Sequence, residues 1–208
     1  WIDWLTGQVE KAGIPFRKET EVTEALLAQG NPDTVIVATG GEKLVPPIPG
    51  LDKPFVCDAW EILDGRVAPK DNIVIIGGGL IGMETADFLI ARGKCVTVVE
   101  MLPRSPVLKI TSHGYMLHKR LRDNNCKLLL GAEVKSIGDG AMEISAEGQI
   151  TVLSPVDQVI VAAGMKPVKN LEAVLQKLQI PFKTVGDARV VRRIIEATEE
   201  GARAAWEL

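Results

Sequence analysis

Long apolar runs are missing from this sequence. No stretch approaches the roughly 18–20 unbroken apolar residues of a membrane span, so no membrane partner is expected. Cysteine is scarce: Cys57, Cys95 and Cys126 lie far apart and none forms a C-x-x-C pair, so neither a zinc site nor a redox dithiol is suggested. So sparse and odd a count fits a reducing compartment, and a cytoplasmic location is expected. Cys95 and Cys126 each open a short apolar run and read as buried, inert thiols. No long basic run occurs, and 27 acids against 24 bases give a net charge of −3, so a nucleic-acid footprint has no support. The low-hydrophobicity, high-charge signature of disorder is absent as well. No secretory leader is visible, and a start at Trp1 rather than Met reads as a fragment of a longer chain. No Ser/His/Asp, metal-ligand or paired-acid constellation stands out. His113 and His118 fall on a predicted helix without an acid or nucleophile at a telling spacing. No catalytic residue and no metal ligand is therefore assigned.

What the chain does contain is core material. Of 208 residues, 46% are hydrophobic, enough to bury a core without staples and to build one large domain or one and a half ordinary ones. Ile2, Leu5 and Val9 are spaced as one face of a helix that Gly13 can end. Ile14-Pro15-Phe16 is a candidate short strand, and Val22–Leu27 is ambiguous. Thr34–Ala38 is a β-branched apolar run of the kind buried on both faces of a parallel sheet. The Val45–Gly50 segment, with three prolines, reads as a linker leaving one domain. A strand at Asn72–Ile76, a helix at Leu80–Arg92 closed by Gly93, and a strand at Val96–Glu100 form a β-α-β unit. A helix over 112–124 and a strand over 127–130 follow. Turn signals at Gly138-Asp139-Gly140 and Glu147-Gly148 divide residues 132–154 into a β-meander. Asp157–Ala162 is another buried strand. The tail predicts a helix near 170–178, a strand near 182–185 and a long helix over 189–206. Asp33–Gly40 and Asp157–Gly164 are near copies of one another, which suggests two related nucleotide-binding sheets.

One motif carries chemistry. Gly77, Gly79 and Gly82 fit G-x-G-x-x-G within Gly77-Gly78-Gly79-Leu80-Ile81-Gly82, between a predicted strand and a predicted helix. Glu100 ends the next strand 23 residues after Gly77, and Asp71–Glu100 spans 30 residues, the size of a dinucleotide-binding unit. Gly77 allows the sharp turn, Gly79 lets backbone approach a pyrophosphate, and Gly82 lets helix and strand pack closely. The helix N-terminus offers free N–H groups and about half a positive charge. A Glu100 carboxylate can accept ribose hydroxyls, while a 2′-phosphate about 4 Å away would meet repulsion on the order of 4 kcal/mol at an effective dielectric near 20. NAD(H) is therefore favoured over NADP(H), with Arg104 as the residue able to hold a 2′-phosphate. Glu84, in the first helical turn, is either a nicotinamide-side residue or a carboxylate placed at a positive helix end.

The residues Asn72–Ala86 with Val98-Val99-Glu100-Met101 resemble the pyridine-nucleotide domain of two-dinucleotide flavoproteins. Asp33–Gly40 and Asp157–Gly164, followed by Pro167, resemble the two A-T-G-type strands of that group. Gly186-Asp187 resembles its terminal G-D motif. Val45–Gly50, Asp58–Gly65 and Val99–Leu102 are similar to the C-terminal part of old-yellow-enzyme-like NADH:flavin oxidoreductases, the group of 2-enoate reductase, 2,4-dienoyl-CoA reductase and trimethylamine dehydrogenase. The resemblance implies an α/β fold: a Rossmann-like NAD(P)-binding domain over 66–165, parallel sheet plus β-meander, inserted in the remaining half of a related FAD-binding domain over 1–65 and 166–208. It implies NADH as partner and hydride passage to FAD in the full-length protein. FMN and a 4Fe-4S cluster are expected only in an N-terminal barrel of the same chain, absent here, where an enoate or dienoyl-type substrate would be reduced. On the NAD side it points to Gly77–Gly82, Glu84, Glu100, Met101, Arg104, Ala163 and Gly164, and on the FAD side to Thr39, Gly40, Gly186 and Asp187. The family's own first glycine-rich β-α-β unit has no counterpart before Asp33, so the fragment alone is expected to be inactive. Two other readings stay open: a non-catalytic ADP- or NAD-binding structural or regulatory domain, and a ferredoxin-reductase-like flavoprotein.

Overall fold

A computed structural model describes all 208 residues, Trp1–Leu208. In chain order the elements are α1 (Ile2–Lys11), α2 (Glu24–Gly30), β1 (Val35–Val37), β2 (Gly41–Lys43), β3 (Val56–Asp58), α3 (Ala59–Leu63), β4 (Asn72–Ile76), α4 (Leu80–Ile90), β5 (Cys95–Glu100), α5 (Ser112–Asp123), β6 (Lys127–Leu130) and β7 (Ala132–Ile137). Then come β8 (Met142–Ala146), β9 (Gln149–Leu153), β10 (Gln158–Val161), β11 (Met165–Pro167), α6 (Asn170–Lys177), β12 (Phe182–Thr184), a short 3₁₀ turn at Gly186–Ala188, and α7 (Ile194–Trp206). No helix is long and apolar enough to cross a membrane. The chain divides into two compact units, 1–40 with 167–208, and 41–166.

The larger unit is a Rossmann-like α/β fold. Its five-stranded sheet has the order β3-β10-β4-β5-β6, with every neighbouring pair parallel. The apolar run Asn72–Ile76 is a central strand buried on both faces. Ile73 and Ile75 pack with Met83, Leu89, Leu117 and Leu121 on the helical side. Val74 and Ile76 pack with Val134, Ile137, Met142 and Ile144 of the three-stranded antiparallel meander β7-β8-β9. The unit is thus a sheet with helices on one face and a second, small sheet on the other. β2 and β11 form a separate two-stranded ladder at the unit's two chain ends.

Local chemistry sets the helix starts. Asp58 and Glu61 form a reciprocal capping box at α3. Thr111 caps α5 by accepting the Gly114 N–H at 3.0 Å. α4 begins at Gly79 with no side-chain cap, so its first N–H groups have no capping side chain.

The smaller unit pairs β1 with β12 in parallel, Val35 opposite Phe182, around Leu27, Val37, Leu175 and Ala188. The ambiguous stretch before residue 30 is helical because Thr23 caps α2 through the Leu26 N–H and Asn31 ends it in the left-handed conformation. α1 forms as expected but buries none of its residues.

Several expectations need correction. Ile14-Pro15-Phe16 is not a strand; Pro15 offers no N–H to a ladder, no strand lies beside it, and Phe16 is 74% exposed. The last helix starts at Ile194 rather than near 189, because Gly186–Ala188 forms its own turn first. The larger unit starts at Gly41, not at 66, because β3 hydrogen-bonds to β10 through Val56, Cys57 and Asp58. The proline-rich 45–50 segment lies inside it and leads to no boundary. Cys95 is exposed, sitting at the open start of β5. Cys126 and Cys57 are half-buried, and loss of hydration pushes their thiols up to about 11 and about 12, the carboxylates of Glu61 and Asp58 adding to the effect at Cys57.

Gly114 tests the packing of α5. A Cβ there would stand 2.1 Å from the Leu108 carbonyl oxygen. Gly→Ala in an open helix interior gains about 0.5–1 kcal/mol. Here Gly114→Ala is expected to lose about 1–3 kcal/mol through overpacking, measured by urea denaturation. A more stable variant contradicts the packing described.

Candidate dinucleotide site

The site lies at the carboxyl ends of β4 and β10, where strand order reverses: β4 leads outward through β5 to β6, and the chain then returns to β10 on the other flank of β4. Open parallel sheets bind ligands in the crevice such a reversal opens. Here it holds a cavity of about 590 Å³ lined by Ile76, Gly77 and Gly79 from the β4–α4 turn, Glu100–Leu102 after β5, Ala132–Lys135 of β7, Ala162–Gly164 after β10, and Pro46, Pro47, Ile48, Val99 and Pro106. A second cavity of about 230 Å³ shares Ala162–Gly164 and adds Lys43, Leu44, Val45, Asp58, Trp60, Glu61 and Ile81 among its walls.

The glycines of the turn do different jobs. A Cβ on Gly77, whose φ is +109°, would lie 2.3 Å from the Ala162 carbonyl oxygen, and one on Gly82 would lie 2.0 Å from that of Gly77. Both positions are therefore fixed by backbone meeting backbone. A Cβ on Gly78 would press to 2.9 Å from the Glu100 Cβ. A Cβ on Gly79 would touch nothing within 4 Å. Gly79 nonetheless lines the cavity at the N-terminus of α4, so a side chain there would project into the space a pyrophosphate needs.

Glu100 is 6% exposed, and both of its oxygens accept backbone N–H groups: Oε2 from Gly78 at 2.7 Å and Oε1 from Leu102 at 2.8 Å. A carboxylate has about four lone-pair positions, so each oxygen keeps one for a ribose hydroxyl. In the second cavity the Lys43 ammonium pairs with Asp58 and lies 5.4 Å from the centre of the Trp60 ring. Partial burial works to raise the Asp58 carboxyl, but Lys43 and the Glu61 N–H outweigh it and hold the group below the usual range.

The structure gathers Gly77, Gly79, Glu100, Met101, Ala163 and Gly164 at the first cavity, and Ile81 with Ala163 and Gly164 at the second. Gly78 and Gly82 support the turn. Leu80 is 36% exposed and lines neither cavity. Glu84 also lines neither: its Oε1 meets His113 Nε2 at 3.0 Å, across to α5. Arg104 is exposed and outside both walls. Thr39, Gly40, Gly186 and Asp187 lie in the smaller unit and line neither cavity. There Thr39 Oγ1 donates to Val168 O at 2.7 Å, and Asp187 Oδ1 accepts the Arg192 N–H at 3.0 Å. Gly186 N–H donates to Glu200 Oε2 at 2.9 Å, and Glu200 also pairs with Arg189 and Arg192. The walls supplied by 46–48 and 132–135 went unmarked in the sequence. Residues 132–135 reach the cavity because the Gly131 N–H bonds Leu102 O at 2.9 Å, tying the start of β7 to the end of β5.

Gly79→Val and Gly82→Ala separate these roles. Gly79→Val is expected to melt within a few degrees of the parent and to lose NADH binding by calorimetry. Gly82→Ala is expected to lose at least about 1–3 kcal/mol of stability in denaturant. Undiminished NADH affinity in Gly79→Val rules out the cradle.

Residues 27–191 match the family model described as "Pyridine nucleotide-disulphide oxidoreductase". The chain is 32% identical over 212 residues to an NADH oxidase of Thermoanaerobacter brockii, covering 99% of this chain and 32% of that protein. It is 35% identical over 209 residues to a bilirubin reductase of Mediterraneibacter gnavus, covering 98% and 32%. Among solved structures, a 2-naphthoyl-CoA reductase complex superimposes with a TM-score of 0.84 at 29% identity, over 99% of this chain and 31% of that one. The chain spans about a third of the length of these relatives. With the glycine-rich turn, the switch-point cavity and the family match in register, the chain belongs to the pyridine nucleotide-disulphide oxidoreductase family.

Proposed function

We propose that this chain is the NAD(H)-binding, electron-input part of a flavin-dependent reductase. The observation that carries the reading is the switch-point cavity, with the uncapped start of α4 at Gly79 on one side and the buried Glu100 carboxylate on the other. The pyrophosphate would lie on the α4 N–H groups and the adenosine ribose on Glu100. The nicotinamide end would extend past Ala163 and Gly164 toward Ile81 and the second cavity. NADH supplies the hydride; the residues here bind it, orient it and exclude water from it.

The smaller unit is read as the remaining half of an FAD domain, with Thr39, Gly40, Gly186 and Asp187 on its flavin side. Its parallel sheet has only two strands, a form that rarely stands alone, and the relatives are about three times as long. Within the family, the old-yellow-enzyme-like branch is favoured by the bilirubin and 2-naphthoyl-CoA reductases, whose named substrates are conjugated molecules. An enoate- or dienoyl-type acceptor reduced in an N-terminal barrel carrying FMN and an iron–sulfur cluster completes the proposal.

The chain as given is expected to bind NADH in calorimetry, with about one site per chain, and to purify without visible yellow absorbance. Failure to bind NADH refutes the dinucleotide reading. Stoichiometric copurifying FAD refutes the half-domain reading of the smaller unit.

A further inference from the structure

Three charged residues line the first cavity: Glu100, Glu133 and Lys135. Lys135 is its only cation, and that cation is already engaged, with Nζ 2.6 Å from Glu133 Oε2. Both members of the pair remain roughly half exposed, at 43% for Lys135 and 57% for Glu133. They are two residues apart on β7, where the register shifts between Val134 and Ser136. Arg104, the cation nearest to Glu100 along the chain, is not on this wall.

We propose that the Glu133–Lys135 pair sets the choice between NADH and NADPH at this cavity, an inference that rests on the dinucleotide reading above. A phosphate monoester at the ribose 2′ position brings about 1.5–2 negative charges at neutral pH. Inside the cavity it faces Glu100, which is fixed by two backbone N–H groups and cannot swing away without losing them. The one cation on the cavity wall that could offset that repulsion is Lys135, and Glu133 neutralises it. The wall therefore carries a net charge of one negative, and the 2′-hydroxyl cofactor is preferred. Glu133 acts here through Lys135, as a residue that withholds a cation rather than as a direct contact.

The test is the ratio of dissociation constants for NADPH and NADH, measured on this chain at low ionic strength for the parent, Glu133→Gln, Lys135→Gln and Arg104→Gln. Glu133→Gln is expected to lower the ratio by roughly three- to tenfold, and Lys135→Gln to raise it by a similar factor, both effects shrinking as salt is added. Arg104→Gln is expected to change it by less than about twofold, which lies within the weakest effect of an exposed charge. The ratio is the readout because a fold defect weakens both nucleotides together. A ratio unmoved by both β7 variants, or moved by Arg104→Gln as far as by Lys135→Gln, overturns the assignment while leaving the dinucleotide reading intact. A parent chain that binds neither nucleotide overturns the dinucleotide reading itself.

Discussion

Two missing side chains let the larger unit close. β4, the first turn of α4 and the end of β10 converge where Gly77 and Gly82 stand, and a single Cβ at either would fall 2.3 or 2.0 Å from a carbonyl oxygen. Neither oxygen belongs to a flexible side chain, so no rotamer change relieves the clash. That convergence seats the start of α4 over the sheet at the strand-order reversal, where its uncapped N–H groups meet the crevice. The cavity and the helix dipole are two results of one backbone constraint.

Glu100 ties that turn to the next strand. Burying a carboxylate costs several kcal/mol unless it is paired or hydrogen-bonded, and here the Gly78 and Leu102 N–H groups supply the bonds. One N–H comes from the glycine-rich turn and the other from the loop after β5, so the carboxylate fixes the spacing of two walls of the site. Glu100 is consequently structural before any ligand arrives. Its removal would be felt by the fold as well as by the ribose, whereas Glu133 and Lys135 stand at the solvent rim and can change charge without disturbing the turn.

Much of this was legible in the sequence, for a physical reason: wherever local chemistry decides, residue order is enough. The β-branched run at Asn72–Ile76, the leucine run at 127–130, the G-x-G-x-x-G turn, the Glu100 position and the meander turns all lie where expected. What escaped depends on long-range pairing. Val56–Asp58 is too short to announce itself, yet it joins β10 and moves the unit's start from 66 to 41. The 45–50 prolines exclude regular structure, which suggested a linker, but an irregular segment can also be a cavity wall. Glu84 sits two residues after Gly82, and sequence spacing could not say that its carboxylate meets His113 on α5. Arg104 follows Glu100 closely in number but does not line the cavity, whereas Lys135 does, brought there through the Gly131–Leu102 bond.

The paired octapeptides Asp33–Gly40 and Asp157–Gly164 bear on the smaller unit. In the second copy, Val159 and Ile160 are fully buried because β10 has a parallel neighbour on each side, β3 and β4. In the first copy the same residue types at Val35 and Ile36 are only half-buried, and just Val37 reaches full burial. At these first two positions the difference follows the number of neighbours, since β1 pairs with β12 alone; the third position reverses it, Val37 being buried and its counterpart Val161 half-buried. A continuous Val/Ile run has no polar face to give to water, so it is stable only with cover on both faces and ladders on both edges. The burial missing around β1 is what a further parallel strand would supply, and it is the physical ground for reading 1–40 and 167–208 as one part of a larger sheet.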